Sequence, residues 1–320
     1  MTSRHVKLYE KKRSKMNMAY FGHYHVELSN TDKLLFPESD ITKGDLIHYY
    51  REIAEIMLPH LMNRPLTLQR FPDGIDKKGF YQQECSDYFP EWIKTRKTPR
   101  ADEKEESVEH VLCNNQATLV YLANQAAITL HGWLSRSPRL GKPDRLIFDL
   151  DPSNKDFSAV RYAARQVASL MQNLGLKPFV MTTGSRGLHV VAPLRAESGF
   201  DDVRELAQEM ATLLASRHNE ELTTEHRKAK RQGRIYLDVM RNSYGQTAVL
   251  PYAVRARSGA PIATPLSLDE LGDSKLDPQR WHIRNIMRRL GQKKDPWADI
   301  QRHAVKLETA RRALRALQRD

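Results

Sequence analysis

The sequence predicts an α/β, or α+β, fold in which helices cover one side of a sheet and leave the other side open. Three observations carry that prediction: apolar spacing alternates between strand-like and helix-like through the middle of the chain, strand-like segments pair near its end, and 40% of the 320 residues are hydrophobic, enough for a real core. The expected layout is a basic arm over residues 1–22, two intimately packed α/β modules over 23–300, and a basic C-terminal helix over 301–320.

The opening MTSRHVKLYEKKRSKMNMAY is basic and lacks apolar periodicity, as a mobile arm does, and structure is expected from HYHVELSN onward. In ITKGDLIHYYREIAEIMLPHLMNRP, Leu46, Ile47, Tyr50, Ile53, Ala54, Met57, Leu58 and Leu61 recur at helical spacing, with Thr42 as cap and Pro65 as stop. PLTLQRF reads as a strand. After a charged loop around RADEKEE, SVEHVLCNN reads as a short strand and QATLVYLANQAAITLHGW as a helix. RLIFDLD is a strand, and DFSAVRYAARQVASLMQNLGL is an amphipathic helix capped by Asp156 or Ser158 and closed by Gly175. The strands PFVMTT and LHVVAPL are joined by the tight turn GSRG. A helix over FDDVRELAQEMATLLASRHN, the basic loop EHRKAKRQGR, the strand IYLDVM and the strand-like TAVLPYAVRAR follow, and DIQRHAVKLETARRALRALQ is a basic amphipathic helix. No internal repeat or low-complexity tract interrupts the series.

Lys and Arg number 51 against 39 Asp and Glu, a net charge of +12 that favours a polyanionic partner. Nucleic acid is the leading candidate and an anionic membrane surface the other, but no apolar run reaches the length of a membrane span, and the start lacks the apolar stretch of a secretory signal. A cytoplasmic protein is expected. Cys85 and Cys113 stand alone without CxxC spacing, which suits a reducing compartment and argues against a structural zinc site.

The chemistry is concentrated in a few segments. Asp149 and Asp151 in DRLIFDLDPS project from one strand face with Ile147, so their charges need a cation between them, either a divalent metal or Lys and Arg partners. Asp238 in IYLDVMRN is a third mid-strand carboxylate. Three such aspartates on the open face of a sheet suit one or two magnesium or manganese ions, which can stabilise the attacking and leaving oxygens of phosphoryl or nucleotidyl transfer. The alternative is pairing with Arg145 or Arg241. In TTGSRGLHVV, Thr183, Ser185 and the glycines offer hydroxyls and backbone N–H groups to phosphate, Arg186 adds charge and His189 follows on the strand; the alternative is an ordinary Gly-rich hairpin with a core histidine. AVRARSG places Arg255 and Arg257 on one strand face. Upstream lie Asn30, Lys33 and Lys43, the last near a helix start, then Arg70 and the aromatic pair Phe80 and Tyr81, a mixture of basic groups and rings suited to a nucleic-acid strand end.

Taken together and in order, the pieces LSNTDKLLFP, TKGDL, QRFPDGI, GFYQ, TLHGW, FDLDP, TTGSRGLHV, DVMRN and AVRARSGAPIATPLS resemble the polymerase domain of bacterial ligase D, of the archaeo-eukaryotic primase superfamily. The resemblance runs from about residue 23 to about residue 300. It implies a primase-polymerase catalytic core whose RRM-like sheet carries three metal-binding aspartates, fused to an N-terminal α/β module. It also implies an enzyme of non-homologous end joining that adds nucleotides, preferentially ribonucleotides, to DNA ends or gaps with manganese or magnesium. Carried over by position, Asp149, Asp151 and Asp238 are the metal ligands; Thr183, Arg186 and His189 hold the nucleoside triphosphate, with Arg255 and His131 beside it, and Ser185 is offered for the 2′-hydroxyl. Asn30, Lys33, Lys43 and Arg70 form a pocket for the 5′-phosphate of a downstream strand, and Phe80 with Tyr81 stacks on the bent template. The family often has Ser at the place of Thr183 and Phe at that of Tyr81.

Ligase D usually joins this domain to a nuclease and an ATP-dependent ligase, for which 320 residues leave no room, and no ExKxDG motif is present. The expectation is therefore a polymerase that does not seal nicks, free-standing beside a separate ligase or a fragment of a larger protein. A DNA-end-binding protein is the other implied partner, and the basic arm and final helix are candidates for added DNA affinity or a partner contact. Two rival classes remain at this point: a two-metal nuclease, and a non-catalytic module that binds and bridges DNA ends, against which intact carboxylates facing phosphate argue.

Overall fold

The computed structural model describes residues 17–99, 106–152 and 156–319. Strands β1 (Asn17–Phe21) and β2 (Tyr24–Leu28) form a hairpin. The expected basic arm therefore ends earlier than residue 22: its first 16 residues lie outside those described, and NMAYF is a strand whose Ala19 turns inward while Met18 and Tyr20 face out. A second small pair, β3 (Leu34–Phe36) and β4 (Ile41–Thr42), leads into α1 (Lys43–Glu52). Thr42 caps that helix as expected, its hydroxyl accepting from the Asp45 N–H at 3.1 Å while Asp45 accepts from the Thr42 N–H at 2.8 Å. The single helix expected here is two pieces, α1 and α2 (Ala54–Leu61), meeting at Ile53, which still donates to Tyr49 and accepts from Met57.

Strands β5 (Leu66–Arg70), β6 (Phe80–Gln82), β7 (Thr95–Pro99) and β8 (Ser107–Val111) precede α3 (Gln116–Asn124), capped by Asn115. The charged loop expected around RADEKEE lies outside the described residues through Glu105. The helix expected to run on through AITLHGW stops at Asn124, and Ala127–Trp133 is a strand, β9. Ala126 makes the break in the left-handed region, φ +55°, and β9 then pairs with β5 on one side and β15 (Thr247–Val249) on the other. The order β15-β9-β5-β6 makes a four-stranded antiparallel sheet.

The second module follows: β10 (Arg145–Asp151), α4 (Phe157–Asn173), β11 (Phe179–Thr182), β12 (Leu188–Pro193), α5 (Phe200–Arg217), β13 (Leu222–Thr223) and β14 (Ile235–Asp238). Asp156 caps α4, its carboxylate accepting from the Ser158 N–H at 2.8 Å. With β16 (Pro265–Leu266) these strands form a six-stranded sheet in the order β13-β14-β10-β12-β11-β16, parallel only at β13–β14. AVRARSG turns tightly, with the Arg257 N–H on the Arg255 carbonyl, so Arg255 and Arg257 do not share a strand. After α6 (Ile286–Gln292), the expected C-terminal helix begins only at Leu307, as α7 (Leu307–Leu317). Val305 is held in a parallel bridge to Leu194, and α7 buries Leu307, Ala310 and Leu314 and pairs Arg311 with Glu205 of α5.

Two cores result. Leu146, Phe148 and Leu150 of β10 join α4, α5 and α7 in one. On the other face Ile147, Met181 and Val191 join the four-stranded sheet and α1 to α3. The side expected to be open is thus half covered, and it opens only toward the Asp149–Asp151 end of β10. Where β14 leaves the sheet after Asp238, buried Asn242 replaces it: its side-chain amide accepts from the Ile147 N–H at 2.9 Å and donates to the Ile147 carbonyl at 2.8 Å. Among the described residues no helix is long and apolar enough to cross a membrane.

Candidate active site

Strand register fixes the floor of the site. Asp149 of β10 stands directly opposite Asp238 of β14 on one side and His189 of β12 on the other. Directly opposed residues in an antiparallel pair have Cβ atoms about 4.5–5.5 Å apart. The carboxylate of Asp149 lies 3.4 Å from His189 Nε2 and accepts from Arg241 Nε at 3.2 Å. Asp151, half exposed at the strand end, pairs with Arg186 at 3.3 Å. Asp238 accepts from the Met240 N–H at 2.8 Å.

The turn between β11 and β12 is pressed against this floor. Gly184 has φ +63°, and a Cβ there would lie 2.8 Å from Arg255 Cγ; a Cβ at Gly187 would strike the Leu150 carbonyl oxygen and come within 2.6 Å of the Asp151 carboxylate. Both glycines are needed for close approach. The Thr183 hydroxyl is spent inside the turn, accepting from the Gly187 N–H at 3.1 Å, and the Thr183 carbonyl accepts from Arg255 at 2.7 Å. The Ser185 carbonyl is tied to Gln279 at 2.7 Å.

Above the floor is a cavity of about 270 Å³ lined from both sheets. The six-stranded sheet and its loops contribute Asp149, Asp151, His189, Thr183, Ser185, Arg241 and Arg255, and the four-stranded sheet contributes Tyr81, His131 and Thr247–Val249. Burial would raise the Asp149 pKa, but His189 and Arg241 outweigh it and hold the group at about 2. Burial, with Asp149 adding to it, raises Asp238 above the usual carboxylate range. Burial, reinforced by Arg255, Arg241 and His189, lowers His131 to about 3, so its imidazole stays neutral; its Nδ1 is buried without a hydrogen-bond partner. Burial and Arg257 lower the Arg255 pKa.

Of the two sequence alternatives for the aspartates, pairing with arginine is partly realised. Asp149 does pair with Arg241, whereas Arg145 pairs with Asp144. Among the described residues no group of three His, Cys, Asp or Glu side chains is arranged as a ready metal cage. The residues nevertheless suit a hard divalent cation: Asp149 and Asp238 oppose each other in register, and the arginines on Asp149 and Asp151 are 42% and 58% exposed in their side chains.

Of the residues expected at a 5′-phosphate, Lys43 and Arg70 reach the C-terminal end of α3, whereas Lys33 Nζ is paired with Asp73 at 2.6 Å. Asn30, in the left-handed region, accepts through its carbonyl from the Lys33 N–H, and the Lys33 carbonyl accepts from the Lys43 N–H. Lys43 Nζ donates to the Asn124 carbonyl at 3.1 Å and Arg70 Nε to that of Gln125 at 2.9 Å. Burial, with Lys33 beside it, lowers Lys43 to about 8. The aromatic pair is divided: Tyr81 lines the cavity near His131, its ring 5.9 Å away, whereas Phe80 points to a different cleft with Arg70 at 5.4 Å. Consecutive strand residues face opposite ways, so the two rings do not act as one surface.

Sequence reasoning did not place Thr247–Val249 at the site and considered Arg241 only as a counter-ion. Arg241 lies three residues after Asp238, and this proximity was the available signal. Nothing local marks Thr247–Val249, which reach the cavity through pairing with β9.

Residues 42–297 match the family model for the LigD primase-polymerase domain. The multifunctional non-homologous end joining protein LigD of Pseudomonas aeruginosa is 31% identical over 277 residues, covering 86% of this chain and 32% of that protein. The bifunctional non-homologous end joining protein LigD of Bacillus subtilis is 28% identical over 283 residues, 88% of this chain and 45% of that one. The chain thus spans less than half the length of these relatives. The solved polymerase domain from Mycobacterium tuberculosis ligase D in complex with DNA superposes with a TM-score of 0.81 at 29% identity, covering 87% of this chain and 99% of that one.

Proposed function

Because the chain belongs to the LigD primase-polymerase domain family, we propose that it is a DNA-dependent nucleotidyltransferase that fills gaps and extends DNA ends, preferring ribonucleotides, in bacterial non-homologous end joining. The observation that carries this reading is the register placing Asp238 and His189 on either side of Asp149 beneath a cavity lined by Arg241 and Arg255. A pure end-binding module gains nothing from such carboxylates facing phosphate.

Asp149, Asp151 and Asp238 would hold manganese or magnesium. Such an ion would supply positive charge to a nucleotidyl transfer. Arg186, Arg255 and His189 bind and orient the triphosphate, and Thr183 keeps the turn in shape for it. Neutral His131 and Ser185 offer uncharged hydrogen bonds, suited to a sugar hydroxyl. Tyr81 closes the cavity from the opposite sheet and presents its ring to a base. Asn30, Lys33 and Lys43 receive a downstream 5′-phosphate, an anion that would restore full charge to Lys43; Arg70 shapes that region. The protein works in the cytoplasm at the nucleoid, with a DNA-end-binding protein and a DNA ligase activity beside it.

The test uses a gapped duplex carrying a 5′-phosphate, manganese and labelled ribonucleotides, beside an Asp149→Ala/Asp151→Ala control. Extension by the parent without strand shortening, and none by the control, is expected. Strand shortening would instead identify a nuclease.

A further inference from the structure

At the end of β10 remote from Asp149 and Asp151 stands a cluster of arginines that nucleotide transfer leaves unused. Asp144, just before the strand, is 5% exposed and accepts from Arg64 Nη2 at 2.6 Å and from Arg136 Nε at 2.8 Å. Arg145 stands beside it, with Nε 3.5 Å from the same carboxylate. Three guanidiniums thus surround one carboxylate, and two of them, Arg64 and Arg145, are buried. Among the described residues Arg145 Nε and Nη2 have no hydrogen-bond partner, and neither does buried Oγ of Ser135, whose carbonyl accepts from Arg64 Nη1 at 3.4 Å. Nε and Nη2 form the edge of a guanidinium that grips a carboxylate or phosphate as a paired fork, and here no protein group answers it.

The charges register the imbalance. Burial lowers the pKa of Arg64, and Arg145 and Arg136 lower it further. Burial would raise Asp144, but Arg64, Arg145 and Arg136 outweigh it and hold it well below the usual carboxylate range. One carboxylate is too little for three arginines.

A cavity of about 400 Å³ opens beside the cluster. Arg136, Arg139 and Asp144 line it from the loop between β9 and β10, Arg195 and Glu197 from the segment after β12, and Gln301 from the segment before α7. Arg136 is fixed in the wall by the carbonyls of Met62 and Pro59, at 2.7 and 3.1 Å. Arg139 and Arg195 are exposed, and among the described residues neither is paired with a carboxylate; Glu197 has Lys306 at 3.9 Å. Arg64 and Arg145, enclosed behind Asp144, act on the cavity with less screening than surface charges do. Asp144 precedes Asp149 by five residues of extended chain, about 17 Å, so an anion here is not one held over the aspartates.

We propose that this cavity is a second anion site, taking one tetrahedral oxyanion of the phosphate class between Arg136, Arg139 and Arg195, with Arg64 and Arg145 supplying charge from behind. Guanidiniums that approach from separate segments suit an anion with oxygens in several directions better than a flat carboxylate. Such an anion ties the β9–β10 loop to the chain after β12 and stabilises the folded protein by mass action. The inference does not depend on the polymerase reading.

The experiment treats the full chain with phenylglyoxal at fixed ionic strength, in inorganic phosphate or in chloride, and follows each arginine by peptide mass spectrometry. Phosphate at several times its dissociation constant should slow modification of Arg139 and Arg195 at least about fivefold. Arg312, 74% exposed on α7 and outside the cavity, should react unchanged. Arg145→Met, which removes a buried charge without touching the anion, should reduce that protection. A gapped DNA duplex forms the second arm. Protection by phosphate, with or without protection by DNA, supports the site; protection by DNA alone assigns these arginines to a nucleic-acid backbone and overturns it. Equal slowing at Arg312, no slowing at all, or protection undiminished in Arg145→Met overturns it as well.

Discussion

Strand β10 has two unlike faces. Leu146, Phe148 and Leu150 are wholly buried against α4 and α5, while Ile147, Asp149 and Asp151 pass on the other face from core to open cavity. Each large apolar side chain on the first face contributes about 1.5–3 kcal/mol of burial, and any well-fitting residue of similar volume could replace it. The second face carries carboxylates, and burial, with Asp149 adding to it, raises the pKa of the facing Asp238. What lies on the first face holds the fold, and what lies on the second runs out into the cavity.

The sharpest way to break that division is to neutralise the charged face. Asp149→Asn with Asp151→Asn should lower nucleotide incorporation by about a thousandfold or more while leaving the circular dichroism spectrum intact, since several kcal/mol of transition-state stabilisation depend on those groups. Survival of activity would mean the face is misassigned. Phe148→Ala is its mirror image: about 3–5 kcal/mol of stability lost in chemical denaturation, with nucleotide affinity of the folded protein unchanged. Gly187→Ala straddles both faces, because its Cβ must displace the turn from Leu150 and Asp151; a loss of about 1–3 kcal/mol together with weaker nucleotide binding is expected.

The smallest effect lies away from β10. Lys43 has its pKa lowered to about 8, so it is charged below that pH and neutral above it. Preference for a 5′-phosphate over a 5′-hydroxyl end should therefore be full near pH 7 and fade by up to about fivefold as pH rises through 8, measured by fluorescence anisotropy. Lys43→Gln should give a weak preference that does not vary over this range.

Much of the second module was legible. RLIFDLD, the two strands about GSRG and the amphipathic helices α4 and α5 each showed a single dominant periodicity, and Asp149, Asp151 and Asp238 stood out as charges in otherwise apolar strands. The first module hid more. AITLHGW is a strand covered on both faces, so its apolar run merged with that of α3, and the break at Ala126 lacks a glycine to announce it. The cavity needs residues from both sheets, and no local pattern states which edge of one meets which loop of the other. Even the adjacent Phe80 and Tyr81 looked like one feature until strand geometry sent them apart.

Asn242 closes a rung of the ladder at Ile147 with a side chain, where the backbone of a neighbouring strand would ordinarily serve. The length of β14 is consequently set by a single amide, and so is the point at which Asp238 reaches the end of its strand. The placing of a carboxylate is thus governed from four residues away, by a group buried out of reach of any substrate, and the slow exchange of one amide proton, that of Ile147, would register whether this splice is intact.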